Sequence, residues 1–174
     1  MSTLLKDLYS PSFYAQFADF MQSHLDGFDR DAFLSSIFED TFEQLELKDR
    51  MRHTAKVMHQ FLPDSIEAAY GIIANMIDGL SRHPDFQNSF VFMFFPEYVA
   101  EFGIEHFVPS VQIMEKITQF VSCEFAVRPF LVKYPDQMMA QMDSWSTHSE
   151  HTVRRLASEG SRTRLPWGMA VPSL

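Results

Sequence analysis

Apolar residues recur at three- and four-residue steps along most of the chain, the spacing that lines one face of an α-helix. Phe13, Phe17, Phe20 and Met21 mark a first helix to about Leu25, with Ser10 as its N-cap and Pro11 at the first helical position. Gly27 breaks it. Asp29 caps a second stripe of Phe33, Leu34, Ile37, Phe38, Phe42 and Leu45. A third run, Leu47 to Leu62, places Met51, Ala55, Met58 and Leu62 on one side and Lys48, Arg50, Arg52 and Lys56 elsewhere. Pro63-Asp64-Ser65 is a turn and cap before a fourth helix from Ile66 to Leu80. His83-Pro84 closes it, because the residue before proline avoids helical geometry.

The aromatic stretch Phe86 to Phe102 contains Pro96 and reads as two short helices or one kinked helix. Val108–Val121, Glu124–Val132, Pro135–Ser146 and Glu150–Gly160 follow as helices, with Val111, Met114, Ile117 and Phe120 facing inward on the first of them. Trp145 and the Met138, Met139 and Met142 group read as core filling, or as a greasy surface for a further repeat. No alternating strand pattern of useful length occurs, so the expected fold is all-α. Glu124-Phe-Ala-Val-Arg-Pro-Phe130 aligns with Glu150-His-Thr-Val-Arg-Arg-Leu156 at an offset of 26 residues. Two copies of E-x-x-V-R followed by a large apolar residue favour a HEAT-like helical-repeat solenoid, an ARM-type superhelix, over a four-helix bundle.

Composition agrees. The chain has 174 residues, 46% hydrophobic, with 18 Phe, 11 Met and 6 Gly, enough for one domain with a real core. Cys123 is the single cysteine, which leaves no internal disulfide and makes a reducing compartment the expectation. The opening Met-Ser-Thr-Leu-Leu-Lys-Asp has no apolar signal core. The longest apolar run, Phe90 to Pro96, falls far short of the ~20 residues of a spanning helix. A soluble, cytoplasmic protein is expected, without membrane association.

Net charge of −9 argues at first against nucleic acid. Its distribution modifies that view. Residues 1–120 hold 8 basic against 18 acidic side chains, and residues 121–174 hold 6 against 5. A polyanion would meet the C-terminal end and be repelled elsewhere.

Several segments carry a resemblance. Ser122-Cys-Glu-Phe-Ala-Val-Arg-Pro-Phe130 and the block His151 to Gly168 (HTVRRLASEGSRTRLPWG) resemble AlkC-type alkylation-repair glycosylases, of the AlkC/AlkD group. The second is similar to that group's V-R-R-L-x-S-E-G-x-R-x-R-L-P-W. Leu45 to His53 and Phe95 to Gly103 also look like family segments, so the resemblance spans essentially the whole chain. It implies a C-shaped stack of HEAT-like repeats around duplex DNA, and excision of cationic N3- and N7-alkylated purines. It further implies catalytic carboxylates at Glu124 and Glu159, each on the inner helix of its repeat, with Trp167 beside them. No cofactor or metal is implied, and the base need not be swung into a pocket. The expected organisation is one domain over 1–174, acidic and helical over 1–120, with the active-site repeats over 121–174. The family's further Asp-bearing repeat is missing, so truncation at the C-terminal repeats is expected. An unfinished stack would also offer an apolar end for self-association.

On this reading Arg128, Arg154, Arg155, Arg162 and Arg164 would contact phosphates. Each candidate has a plainer alternative. Glu124 and Glu150 precede apolar helical runs, where a carboxylate favours the helix N-terminus. Glu159 lies at a helix end, where a negative charge is disfavoured, so its position is harder to explain by structure alone. Arg128 and Arg154 could equally be repeat residues bridging neighbouring helices, and Trp167 could plug the end of the stack. His148 and His151 lack a third metal ligand, and Cys123 lacks a nearby histidine base. The rival functional reading is a non-catalytic HEAT-repeat module that binds DNA or protein, inactive for want of the Asp-bearing repeat.

Overall fold

The computed structural model describes residues 4–172. The readings made of Met1 to Thr3 and of the end at Leu174 lie outside the described residues. Among the described residues there are nine α-helices, three short 3-10 turns and no strand. The chain divides into two compact units, residues 1–94 and 95–174. The change in charge at 120/121 falls inside the second.

In the first unit, α1 (Pro11–Gln22) starts as its sequence dictates. The Ser10 side chain accepts from the Phe13 N–H, and Pro11 occupies a position whose N–H is not needed. α2 (Arg30–Ile37) is capped by Asp29. It stops earlier than its apolar stripe suggests. Phe38 and Phe42 instead turn edge-on to the Tyr14 ring, at 5.4 and 5.8 Å between centroids. Tertiary packing here overrides helical spacing. α3 (Leu47–His59) and α4 (Ile66–Leu80) complete the unit with a 3-10 turn at Ser89–Phe92.

The core of this unit is aromatic. Phe17 is fully buried and packs against Phe13, Phe33, Phe92 and Phe94. Each such pair adds about 0.5–1.5 kcal/mol beyond its area burial. Arg50, read from the sequence as lying on the polar side of its helix, is buried. Its guanidinium lies 4.6 Å from the Phe42 ring centroid and donates to the Leu45, Lys6, Tyr9 and Glu43 carbonyls.

α5 (Phe94–Phe102) holds Pro96 in its first turn, where the missing N–H costs nothing. The segment is thus a 3-10 turn followed by one helix. In the second unit α6 (Phe107–Ile117), α7 (Val127–Lys133), α8 (Pro135–Ser146) and α9 (His151–Gly160) follow, with α7 on α8 and α8 on α9. Trp145, Leu131, Phe130, Val153 and Leu156 are buried there. The Trp145 indole N–H donates to Glu115, 2.8 Å away, and the other Glu115 oxygen lies 3.4 Å from His148 Nε2. His148 Nδ1 accepts the Glu150 N–H, so both nitrogens of this ring are engaged. No helix of the described residues is long and apolar enough to cross a membrane.

Gly160 ends α9 at a point of close approach. A Cβ there would come within 2.8 Å of Val127 Cγ2 and 3.3 Å of Met142 Cε. Gly160→Ala therefore forces α9 away from α7 and α8. We expect a loss of about 1–3 kcal/mol in denaturant unfolding, with helical content retained. An unchanged midpoint would mean the neighbours yield freely.

Candidate active site

Glu124 lies in the turn that leads into α7, three residues before the helix begins. The expectation that it would sit within a helix is corrected here. Helical hydrogen bonding starts at Val127, whose N–H reaches the Cys123 carbonyl at 3.1 Å. Ser122 fixes the turn: its hydroxyl donates to Glu124 Oε1 at 2.8 Å and its oxygen accepts the Glu124 N–H at 3.4 Å. Glu159 sits in the last turn of α9. The fold brings these side chains, 35 residues apart, to a single guanidinium. Arg155 Nη2 lies 3.0 Å from Glu159 Oε2 and 3.4 Å from Glu124 Oε1.

The two carboxyls are not equivalent. Glu124 is 17% exposed, and burial, followed by the neighbouring Glu159, pushes its pKa above the ordinary value. Glu159 is held below its ordinary value, first by the Arg155 hydrogen bond and then by a hydrogen bond with Glu124. Two carboxyls in contact titrate apart, the more buried one at the higher pH. Arg155 is 63% exposed, so it joins the carboxylates without being sealed from solvent. Cys123 beside them is buried, and that burial together with the Glu124 charge pushes its thiol up, which makes it a poor nucleophile.

The remaining arginines fall into two groups. Arg162 and Arg164 are exposed in the loop after α9, as phosphate contacts would require. Arg154 is exposed but donates to the His148 and Ser149 carbonyls, both at 2.7 Å, tying the turn that opens its own helix. Arg128 is fully buried, and the expectation of a phosphate contact there is corrected. Its guanidinium donates to the carbonyls of Met169 at 2.6 Å, Gly160 at 2.9 Å, Thr163 at 3.0 Å and Arg162. Trp167 is 64% exposed, so it does not plug a core. Its φ of 63° is the one left-handed backbone angle outside glycine among the described residues. A bulky residue persists there only when its surroundings hold it, and such sites cluster where function needs them.

Arg155 as the bridge between the carboxyls was not foreseen from the sequence. Its i, i+4 spacing to Glu159 was the available signal. No cluster of three or more potential metal ligands occurs among the described residues.

Comparison with known proteins adds to this geometry. The all-α helical-repeat class indicated by repeat and helix order is the class to which the fold belongs. No family model matches the chain. The uncharacterized protein YhaZ of Bacillus subtilis (strain 168) is 36% identical over 173 residues, covering 98% of this chain and 46% of that protein. Among solved structures, the Pseudomonas fluorescens alkylpurine DNA glycosylase AlkC, bound to DNA containing an abasic site analog, superimposes with a TM-score of 0.90. The two are 29% identical, over 99% of this chain and 46% of that one. The chain therefore has an AlkC-type fold and spans about half the length of the proteins it matches.

The opposed shifts can be tested directly. In a 13C titration of the side-chain carboxyls, Glu124 should titrate at higher pH than Glu159. Arg155→Met should raise Glu159 more than Glu124, since Arg155 is the leading cause of the shift at Glu159 and a minor one at Glu124. Equal movement of both midpoints would contradict this account.

Proposed function

We propose that this chain carries the active-site repeats of an AlkC-type DNA glycosylase that releases cationic N3- or N7-alkylated purines from duplex DNA. The observation that carries the reading is the meeting of Glu124 and Glu159 at one guanidinium, the two residues that the resemblance assigns to catalysis. The likeness to a solved alkylpurine DNA glycosylase in complex with DNA supports it.

Alkylation at N3 or N7 leaves a fixed positive charge on the purine, so the base departs without being protonated. As the C1′–N bond breaks, its electron pair leaves with the base, which becomes neutral. The positive charge passes to the deoxyribose as an oxocarbenium-like ion. An ionised carboxylate beside the sugar stabilises that state more than the ground state, which is the condition for catalysis. Glu159, held ionised, fits that role. Glu124, whose affinity for a proton is raised, is the better base toward water. It takes one proton as the water oxygen bonds to C1′. No metal or cofactor takes part in this scheme.

Arg155, Arg162 and Arg164 would meet phosphates, which set position rather than sequence preference. Trp167, held outward on its loop, would offer an aromatic face to the cationic base, worth on the order of 0.5–2 kcal/mol.

The deciding experiment is release of 3-methyladenine and 7-methylguanine from methylated duplex DNA. Glu124→Gln and Glu159→Gln should each lower release by roughly 100- to 1000-fold while leaving DNA binding close to the parent level. Release that survives both substitutions would sink the assignment. Independently, Arg162→Ala and Arg164→Ala should each reduce the slope of log K against log salt by about 1 for duplex DNA of any sequence. A slope unmoved by either change would remove these side chains from the interface.

A further inference from the structure

The buried Arg128 guanidinium is spent on backbone carbonyls, and the identity of those carbonyls matters. All four lie between Gly160 and Met169, the stretch that carries Arg162, Arg164 and Trp167. Gly160 directly follows Glu159, and Arg128 itself stands four residues after Glu124. One side chain thus joins the backbone beside Glu124 to the backbone beside Glu159, and holds the loop that projects Trp167.

We infer that Arg128 is a positioning residue that sets the Glu124–Glu159 separation and fixes the loop presenting Trp167. The inference rests on the proposed function for its catalytic consequence, but its structural content does not.

Three features support it. The C-terminus of α9 leaves carbonyls without intrahelical partners, and Arg128 supplies the donors from another helix. A charged group donating to several carbonyls at once makes strong, directional bonds, and the planar guanidinium constrains their relative placement. Finally, Trp167 is mostly exposed, so its own burial does not impose its left-handed backbone. Within the loop the Gly168 N–H donates to the Leu165 carbonyl and the Val171 N–H to the Thr163 carbonyl, both at 3.0 Å, with Val171 buried. The Thr163 carbonyl is itself shared with Arg128. Lysine would keep the charge but lose the fork, and methionine would keep much of the volume but lose every donor.

The test separates positioning from general stability. Labelled with 5-fluorotryptophan, the 174-residue chain reports Trp145, buried in α8, and Trp167 as two 19F resonances. In folded Arg128→Met, the Trp167 line should move to the position of an unstructured tryptophan while Trp145 stays in place. The 13C midpoints of Glu124 and Glu159 should also draw together. Arg128→Lys should fall between Arg128→Met and the parent in both readouts. If Trp167 and both carboxyls are unmoved in folded Arg128→Met, the inference is wrong.

Should Arg128→Met fail to fold, Arg128→Lys is read in the same way. The parent chain supplies a measurement that needs no variant: the Arg128 guanidinium protons should exchange far more slowly than those of exposed Arg164. Exchange at the Arg164 rate would overturn the inference. With methylated DNA, Arg128→Met should lower kcat by roughly 10- to 100-fold with little change in KM. A parent chain that releases no base would defeat the proposed function and leave the spectroscopic outcome to judge Arg128.

Discussion

A buried arginine is the constraint from which the second unit follows. Arginine does not shed its proton inside a protein, so burying it carries a large desolvation cost unless its donors are met. Arg128 meets that condition with the carbonyl that ends α9 and three carbonyls of the loop after it. The loop after α9 must then return along α7, and its backbone angles are no longer its own choice. The end of α9 is fixed in the same way, since the Gly160 carbonyl accepts from Arg128 and the residue leaves no space for a side chain. The first unit uses the same device at Arg50, which gathers the Lys6, Tyr9, Glu43 and Leu45 carbonyls over the Phe42 ring. In each unit a charge usually met at the surface organises irregular backbone instead.

What this arrangement holds in place is an unfavourable pair. Two carboxyls in contact repel when both are ionised, and Glu159 adds a negative charge near the negative end of its helix. The pair is not explained as a stabilising feature. Its asymmetry comes from local surroundings: burial at Glu124, and direct hydrogen bonding from Arg155 at Glu159. The aligned repeat provides a contrast. Glu150 occupies the place of Glu124 in the second copy of the pattern, yet it is exposed as the N-cap of α9. The same motif thus yields an exposed residue at a helix start, with no side-chain cap bond, in one copy and a member of a carboxyl pair in the other.

Much of the fold was legible because helix spacing and capping are local signals. Ser10-Pro11, Asp29 and Pro135 open helices where the sequence placed them. The misreadings share a cause. α2 ends early because Phe38 and Phe42 are drawn to Tyr14, residues distant in sequence. Arg50 was placed away from the apolar side of its helix, and Arg128 was left open between a phosphate contact and a repeat residue bridging helices, because a guanidinium looks like a surface group until its carbonyl partners are known. Those partners of Arg128 lie 32 to 41 residues away. The carboxyl pair was legible only through the resemblance, since nothing in the spacing of Glu124 and Glu159 brings them together.

The chain's overall negative charge sets a further condition on the proposed function. A polyanion gains nothing from an acidic protein unless its contacts are concentrated. Arg155, Arg162 and Arg164 supply that concentration within ten residues, all of them exposed. Arg155 stands apart because it already holds Glu159 and Glu124. A guanidinium retained there offsets the negative charge that a developing sugar cation requires. A phosphate close enough to share Arg155 would weaken its hold on Glu159 and so raise that carboxyl's affinity for a proton. On the proposed reading, binding of the DNA backbone and the protonation of the carboxyl pair are therefore linked through one side chain.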